Sequence, residues 1–126
     1  MQGFEPVTLS WKGQDYTVPA KKQLELIARI EDALAGDTGE QAISVLFRPG
    51  GPPHSRLARA LGAALRYAGA TVGDDEIYLT IHEDIANKSR EQVAATMQMM
   101  TIAILAVISP PVSRALDTAS TPPKKD

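Results

Sequence analysis

Residues 4 to 18 alternate apolar and polar positions. Val7 and Leu9 face one way, Thr8 and Ser10 the other, and after Lys12-Gly13-Gln14 the chain returns with Tyr16 and Val18 on a common face. Alternation with period two around a Gly-containing turn predicts an N-terminal β-hairpin. Such a hairpin is marginal alone in water, so it must pack on something, and Trp11 beside the turn is the natural anchor or an exposed contact. Beyond Pro19, which suits the first turn of a helix, the period changes. Leu26, Ile27, Ile30, Ala33 and Leu34 recur at helical spacing up to Gly36, a left-handed helix stop. A second helix is expected after the start signal Asp37-Thr38, with Ile43, Leu46 and Phe47 as its apolar face. The run Arg48-Pro49-Gly50-Gly51-Pro52-Pro53 breaks the chain, and a third helix spans about Ser55 to Ala68, with Leu57, Leu61, Ala64 and Leu65 on one side and Gly69 closing it.

Residues 74 to 81 fit two patterns. Their alternation suits a strand, but Asp74-Asp75-Glu76 complements a helix dipole, and Ile77, Ile81 and Ile85 fall four apart, so a helix is preferred. Ser89-Arg90-Glu91-Gln92 has the form of a capping box. The helix it opens reaches about Ile108, with Val93, Met97, Met100, Thr101, Ile104 and Ile108 as its main stripe and apolar residues nearly all round its final turns. A helix of that kind is central in the core or pressed against a partner. The expected fold is therefore α+β, mainly α: an N-terminal β-hairpin followed by about five helices in one small bundle. It forms one globular domain over residues 4–116, and the polar segment 117–126 is expected to be a flexible C-terminal tail.

Composition narrows the function. Of 126 residues, 44% are hydrophobic and 22% charged, so one respectable core is within reach. Aromatic residues are only 5%, which leaves that core to Leu, Ile, Val, Ala and Met. The absence of cysteine excludes disulfides, thiolate metal sites and cysteine nucleophiles, and suits a reducing cytosol. The opening residues lack a basic region followed by an apolar run, so no signal peptide is expected. Met97–Ile108 is apolar but stops at Pro110-Pro111, short of the roughly 20 residues that cross a bilayer, so a buried core helix and no membrane association are expected.

No motif carries chemistry. Arg48–Arg56 is Gly-rich before a helix, yet Pro49, Pro52 and Pro53 remove backbone donors and no Walker Lys-Ser/Thr follows, so the segment reads as a rigid connector or a contact surface. His54 and His82 stand far apart in the chain without a ligand spacing, so neither a metal nor a cofactor is expected. No Ser or Thr lies in a nucleophile elbow or SxxK pattern, and an enzyme is not expected. Arg56, Arg59 and Arg66 could form a basic stripe for DNA, although the net charge of −2 weighs against nucleic acid. The adaptable side chains Met97 and Met100, with Ile104 and Trp11, are the candidate contacts for a partner.

The chain is similar to the small tail assembly chaperones of long-tailed bacteriophages. The resemblance lies in Phe4-Glu5-Pro6-Val7-Thr8-Leu9, the turn Lys12-Gly13-Gln14, Tyr16-Thr17-Val18, the helix Leu24 to Leu34, the segment Val72 to Tyr78 and the later long helix. It covers about residues 4 to 108 as a general outline. It implies a protein of the bacterial host cytoplasm that binds the helical, aggregation-prone tape-measure protein, recruits tail-tube subunits and leaves as the tail assembles. Self-association into a homo-oligomer is left open. The alternatives are a small helical DNA-binding regulator and a minor structural tail component.

Overall fold

The computed structural model describes residues 4–120. Strands β1 (Val7–Trp11) and β2 (Gln14–Val18) pair antiparallel, with Val7 opposite Val18 and Leu9 opposite Tyr16. That register puts all four on one face, and Leu9 and Val18 are buried there. Lys12 and Gly13, at φ 48° and 81°, make the tight connection. Two positive φ values in a two-residue loop match the right-handed twist of the strands it joins.

Six helices follow: α1 (Gln23–Ala35), α2 (Ala42–Leu46), α3 (His54–Tyr67), α4 (Asp74–Asn87), α5 (Arg90–Ile108) and α6 (Pro110–Ser120). The α+β, mainly α architecture read from the sequence is therefore the one formed. Segment 74–87 resolves as a helix with three carboxylates in its first turn. Helix α3 is the centre: α1, α4, α5 and β2 all rest on it, and Leu57, Leu61, Ala64 and Leu65 are its buried side. Gly62, also on that helix, permits a close approach, because a Cβ there would stand 2.0 Å from Oδ1 of Asp74. The same carboxylate accepts a hydrogen bond from Arg66 at 2.7 Å and so ties α3 to the start of α4.

Several boundaries and faces differ from expectation. Helix α1 begins at Gln23 and not beside Pro19: Lys22 is left-handed at φ 63° and its carbonyl accepts from the Tyr67 hydroxyl at 3.1 Å. Gln23 is buried, and its amide donates to the Glu5 carbonyl at 2.8 Å, which anchors the segment before the hairpin. Helix α2 buries Ala42, Val45 and Leu46, leaving Ile43 and Phe47 exposed. The run Met97–Ile108, expected as a buried core helix, is buried only at Ile104, Leu105 and Val107. Helix α6 was not expected, since Pro110-Pro111 reads as a stop. A proline is equally at home in the first turn of a new helix, where its missing N–H costs nothing. The backbone of α6 continues through Ser120, beyond the expected start of the tail at Asp117; residues 121–126 lie outside the described residues.

The capping box at α5 forms as read. Ser89 Oγ accepts from the Gln92 N–H at 3.2 Å, and Gln92 Oε1 accepts from the Ser89 N–H at 3.1 Å. Replacing Ser89 by alanine removes the acceptor for the Gln92 N–H but keeps the backbone N–H that donates to Gln92 Oε1, and is expected to cost about 1 kcal/mol. Urea unfolding checks this through a lowered midpoint at an unchanged slope.

Candidate functional site

The exposed part of α5 forms one wall of an open groove of about 810 Å³. Val93, Met97, Thr101 and Leu105 succeed one another along it, and Arg90 to Leu105 spans about 22 Å of helix axis. The Thr101 hydroxyl donates to the Met97 carbonyl at 2.9 Å, which satisfies it within its own helix. Phe47 and residues Arg48, Gly50, Gly51 and Pro52 of the connector, Ile85 of α4 and Leu116 of α6 complete the lining. Phe47 is 50% exposed, Ile102 44%, Ile85 42% and Leu116 39%. Four large apolar side chains half open to water around one concavity are a patch of the kind that marks a binding surface.

Why the groove exists follows from the chain. Helix α5 is apolar on nearly every side, and the core needs only its last turns. Helix α2 is too short to cover the rest, and the connector after it turns away through Gly50 and Gly51, at φ 83° and 85°, with the Gly51 N–H donating to the Arg48 carbonyl at 2.8 Å. A contact surface, one of the two readings of that connector, fits this position.

The connector is held by a carboxylate. Glu40 takes a short ion pair from Arg48 and another from Arg56 at 3.2 Å, while the Thr38 hydroxyl donates to it at 2.8 Å. The Arg48 guanidinium first, then Thr38 and Arg56, hold the Glu40 carboxyl well below the usual carboxylate range, at about 2. A carboxyl depressed in the folded state stabilises it fully above its ordinary pKa and stops doing so as pH falls through the depressed value. Acid unfolding of Glu40→Gln is therefore expected to lack one component of the stability lost between about pH 4.5 and about pH 2, and to start from a less stable protein at neutral pH. Equal pH profiles for the two proteins would contradict the clamp.

The residues singled out in the sequence separate. Met97 and Met100 are both half-buried against the core, and of the two only Met97 also lines the groove; Ile104 is 0% exposed within the core. Ile104 cannot meet a partner without leaving the core. Trp11 is half-buried on the hairpin and away from the groove, with its indole nitrogen buried. Of the basic stripe, Arg56 is spent on Glu40 and the Leu34 carbonyl, and Arg66 on Asp74 and the Val72 carbonyl. Arg59 alone is exposed without a partner among the described residues, so the three do not offer phosphate a common free face. Phe47, Ile85, Ile102 and Leu116 were missed. The signals for them were an aromatic residue set directly before the Pro/Gly connector and a helix with more apolar faces than one core can use.

The two histidines, distant in sequence, meet in space: Nδ1 of His54 lies 3.3 Å from Nε2 of His82, with the Tyr78 ring 4.4 Å from that of His82. One ring donates and the other accepts, which links the first turn of α3 to α4. Among the described residues no cluster of three His, Cys, Asp or Glu side chains is placed to hold a metal ion. By length and composition alone, α5 is also the one helix among the described residues that could cross a membrane. Its last turns, however, are shared with the core that α1, α3 and β1 build. Compared with known proteins, the chain matches no family model, no curated protein and no solved structure.

Proposed function

We propose that this protein works by binding, not by catalysis, and that it seats the apolar face of a partner helix in the groove along α5. The observation that carries this reading is the half-exposed set Phe47, Ile85, Ile102 and Leu116 around Met97. A groove about 22 Å long accepts roughly four turns of helix, and apolar anchors at i, i+3, i+4 and i+7 would meet its walls. Methionine in such a wall adapts to more than one partner surface.

Within that reading, the resemblance to phage tail assembly chaperones supplies the physiological partner. The tape-measure protein is long, helical and prone to aggregate, and a chaperone must cover its apolar stripes until tail-tube subunits replace it. Helix-in-groove binding accomplishes this without covalent chemistry. The role also places the protein in the host cytoplasm. Co-expression with a tape-measure protein of the same genome tests it. The expected result is a soluble tape-measure protein that co-purifies with the chain and resists nuclease. A tape-measure protein equally insoluble with and without the chain would overturn the assignment.

A further inference from the structure

We infer that the helix seated in the groove is anionic: its apolar face is flanked by carboxylates that meet Lys88, Arg90 and Arg48. This rests on the helix-binding reading above and names the chemistry of the partner. The chain as a whole is slightly acidic, with a net charge of −2, yet the groove is lined by Arg48, Lys88 and Arg90 and by no Asp or Glu. The charged residues that line the groove are therefore all cationic in an acidic chain, with Glu40 and Asp84, outside the lining, paired to two of them.

Two of these cations have internal partners. Arg48 is held by Glu40, and Lys88 lies 3.3 Å from Asp84 one turn back. Arg90 has none among the described residues. It is also the first residue of α5, where the helix dipole favours an acidic side chain and opposes a cation. Helix stability does not explain an arginine there; a negative charge arriving from outside does. An anionic membrane surface would satisfy the same charges, but a concave groove walled by the Phe47 connector and by α6 suits a rod better than a plane.

The test uses the full chain and two synthetic helices of about 18 residues with one identical leucine-rich face, flanked by glutamate in one and lysine in the other. Each carries the same neutral dye, and binding is read by fluorescence anisotropy. The glutamate helix is expected to bind about threefold to tenfold more tightly at low salt, since Arg90 adds a modest surface ion-pair contribution and Arg48 and Lys88, already paired with Glu40 and Asp84, add less. The advantage is expected to vanish at about 1 M salt, where the Debye length falls to about 3 Å. In K88E/R90E the preference is expected to reverse. That variant should fold, because Arg90→Glu places a favoured charge at a helix start and the Lys88–Asp84 pair it loses is a partly exposed one of small worth; an unchanged circular dichroism spectrum checks this.

Equal affinity for both helices, or a preference for the lysine helix, would overturn the anionic assignment and leave the helix-binding reading standing. Binding of neither helix would overturn both. Binding to phosphatidylserine vesicles with neither peptide bound would reassign the groove to a membrane surface. Dimerisation that K88E/R90E abolishes, with neither peptide competing, would reassign it to a second copy of the chain.

Discussion

Replacing Phe47 and Ile102 together by serine is expected to weaken binding of an amphipathic helix by about 10- to 100-fold while leaving the fold intact. Full burial of a Phe or Ile side chain contributes about 1.5–3 kcal/mol. Both are already near half-buried in the free protein, at 50% and 44% exposed, so only the remaining area is gained on binding. Together that amounts to about 1.4–2.8 kcal/mol, which gives the stated factor. Because neither side chain belongs to the core, thermal unfolding should move by no more than a few degrees. A binding loss with an unchanged melting temperature locates the site; loss of both would mean that the two residues hold the fold.

Two residues further along the same helix, at Ile104, the expected effect is the opposite. Ile104→Ala removes a fully buried side chain that packs with α1, α3 and the hairpin. Large-to-small changes at such positions cost about 2–5 kcal/mol, because the surroundings close the cavity only in part. At about 4 °C per kcal/mol for a domain of this size, the melting temperature should fall by roughly 8–20 °C. The folded fraction should still bind a helix with its original affinity. Ile102→Ala, only two residues away, should do the reverse. This contrast is the sharpest statement of how α5 divides its surface between core and groove.

That division was the least legible feature of the sequence. The hairpin, α1 and α3 could be read because each has one apolar face and a definite stop. In the hairpin, Leu9 and Val18 alternate with polar neighbours around Lys12-Gly13; in α1, Leu26 to Leu34 end at Gly36, whose N–H donates to the Asp32 carbonyl at 3.0 Å. The start of α5 could be read because Ser89 and Gln92 interact within a single turn. By contrast, a helix that is apolar all round has no phase. The stripe through Met97, Met100 and Ile104 consequently mixes a half-buried residue that lines the groove, a half-buried one outside it and a core residue.

The other walls of the groove come from Phe47, Ile85 and Leu116, in three different elements, and no local pattern brings these together. Phe47 was assigned to the apolar face of α2, when the helix buries Ala42, Val45 and Leu46 and leaves the aromatic ring outside. The His54–His82 contact and the pairing of Arg56 and Arg66 with carboxylates are tertiary in the same sense. Helix α6 was lost for a different reason: Pro110-Pro111 both ends one helix and starts another, and only the geometry after it tells which.

The methionines offer the most direct test of the groove. Met97 lines it, Met99 on α5 is 71% exposed outside it, and Met100 is half-buried against the core. With methyl-labelled methionine, titration of the glutamate-flanked helix should shift the Met97 resonance progressively, leave Met99 nearly unchanged and move Met100 little. A Met97 signal that stays in place while the peptide binds, or a response concentrated on Met99, would contradict the placement of the partner along this groove.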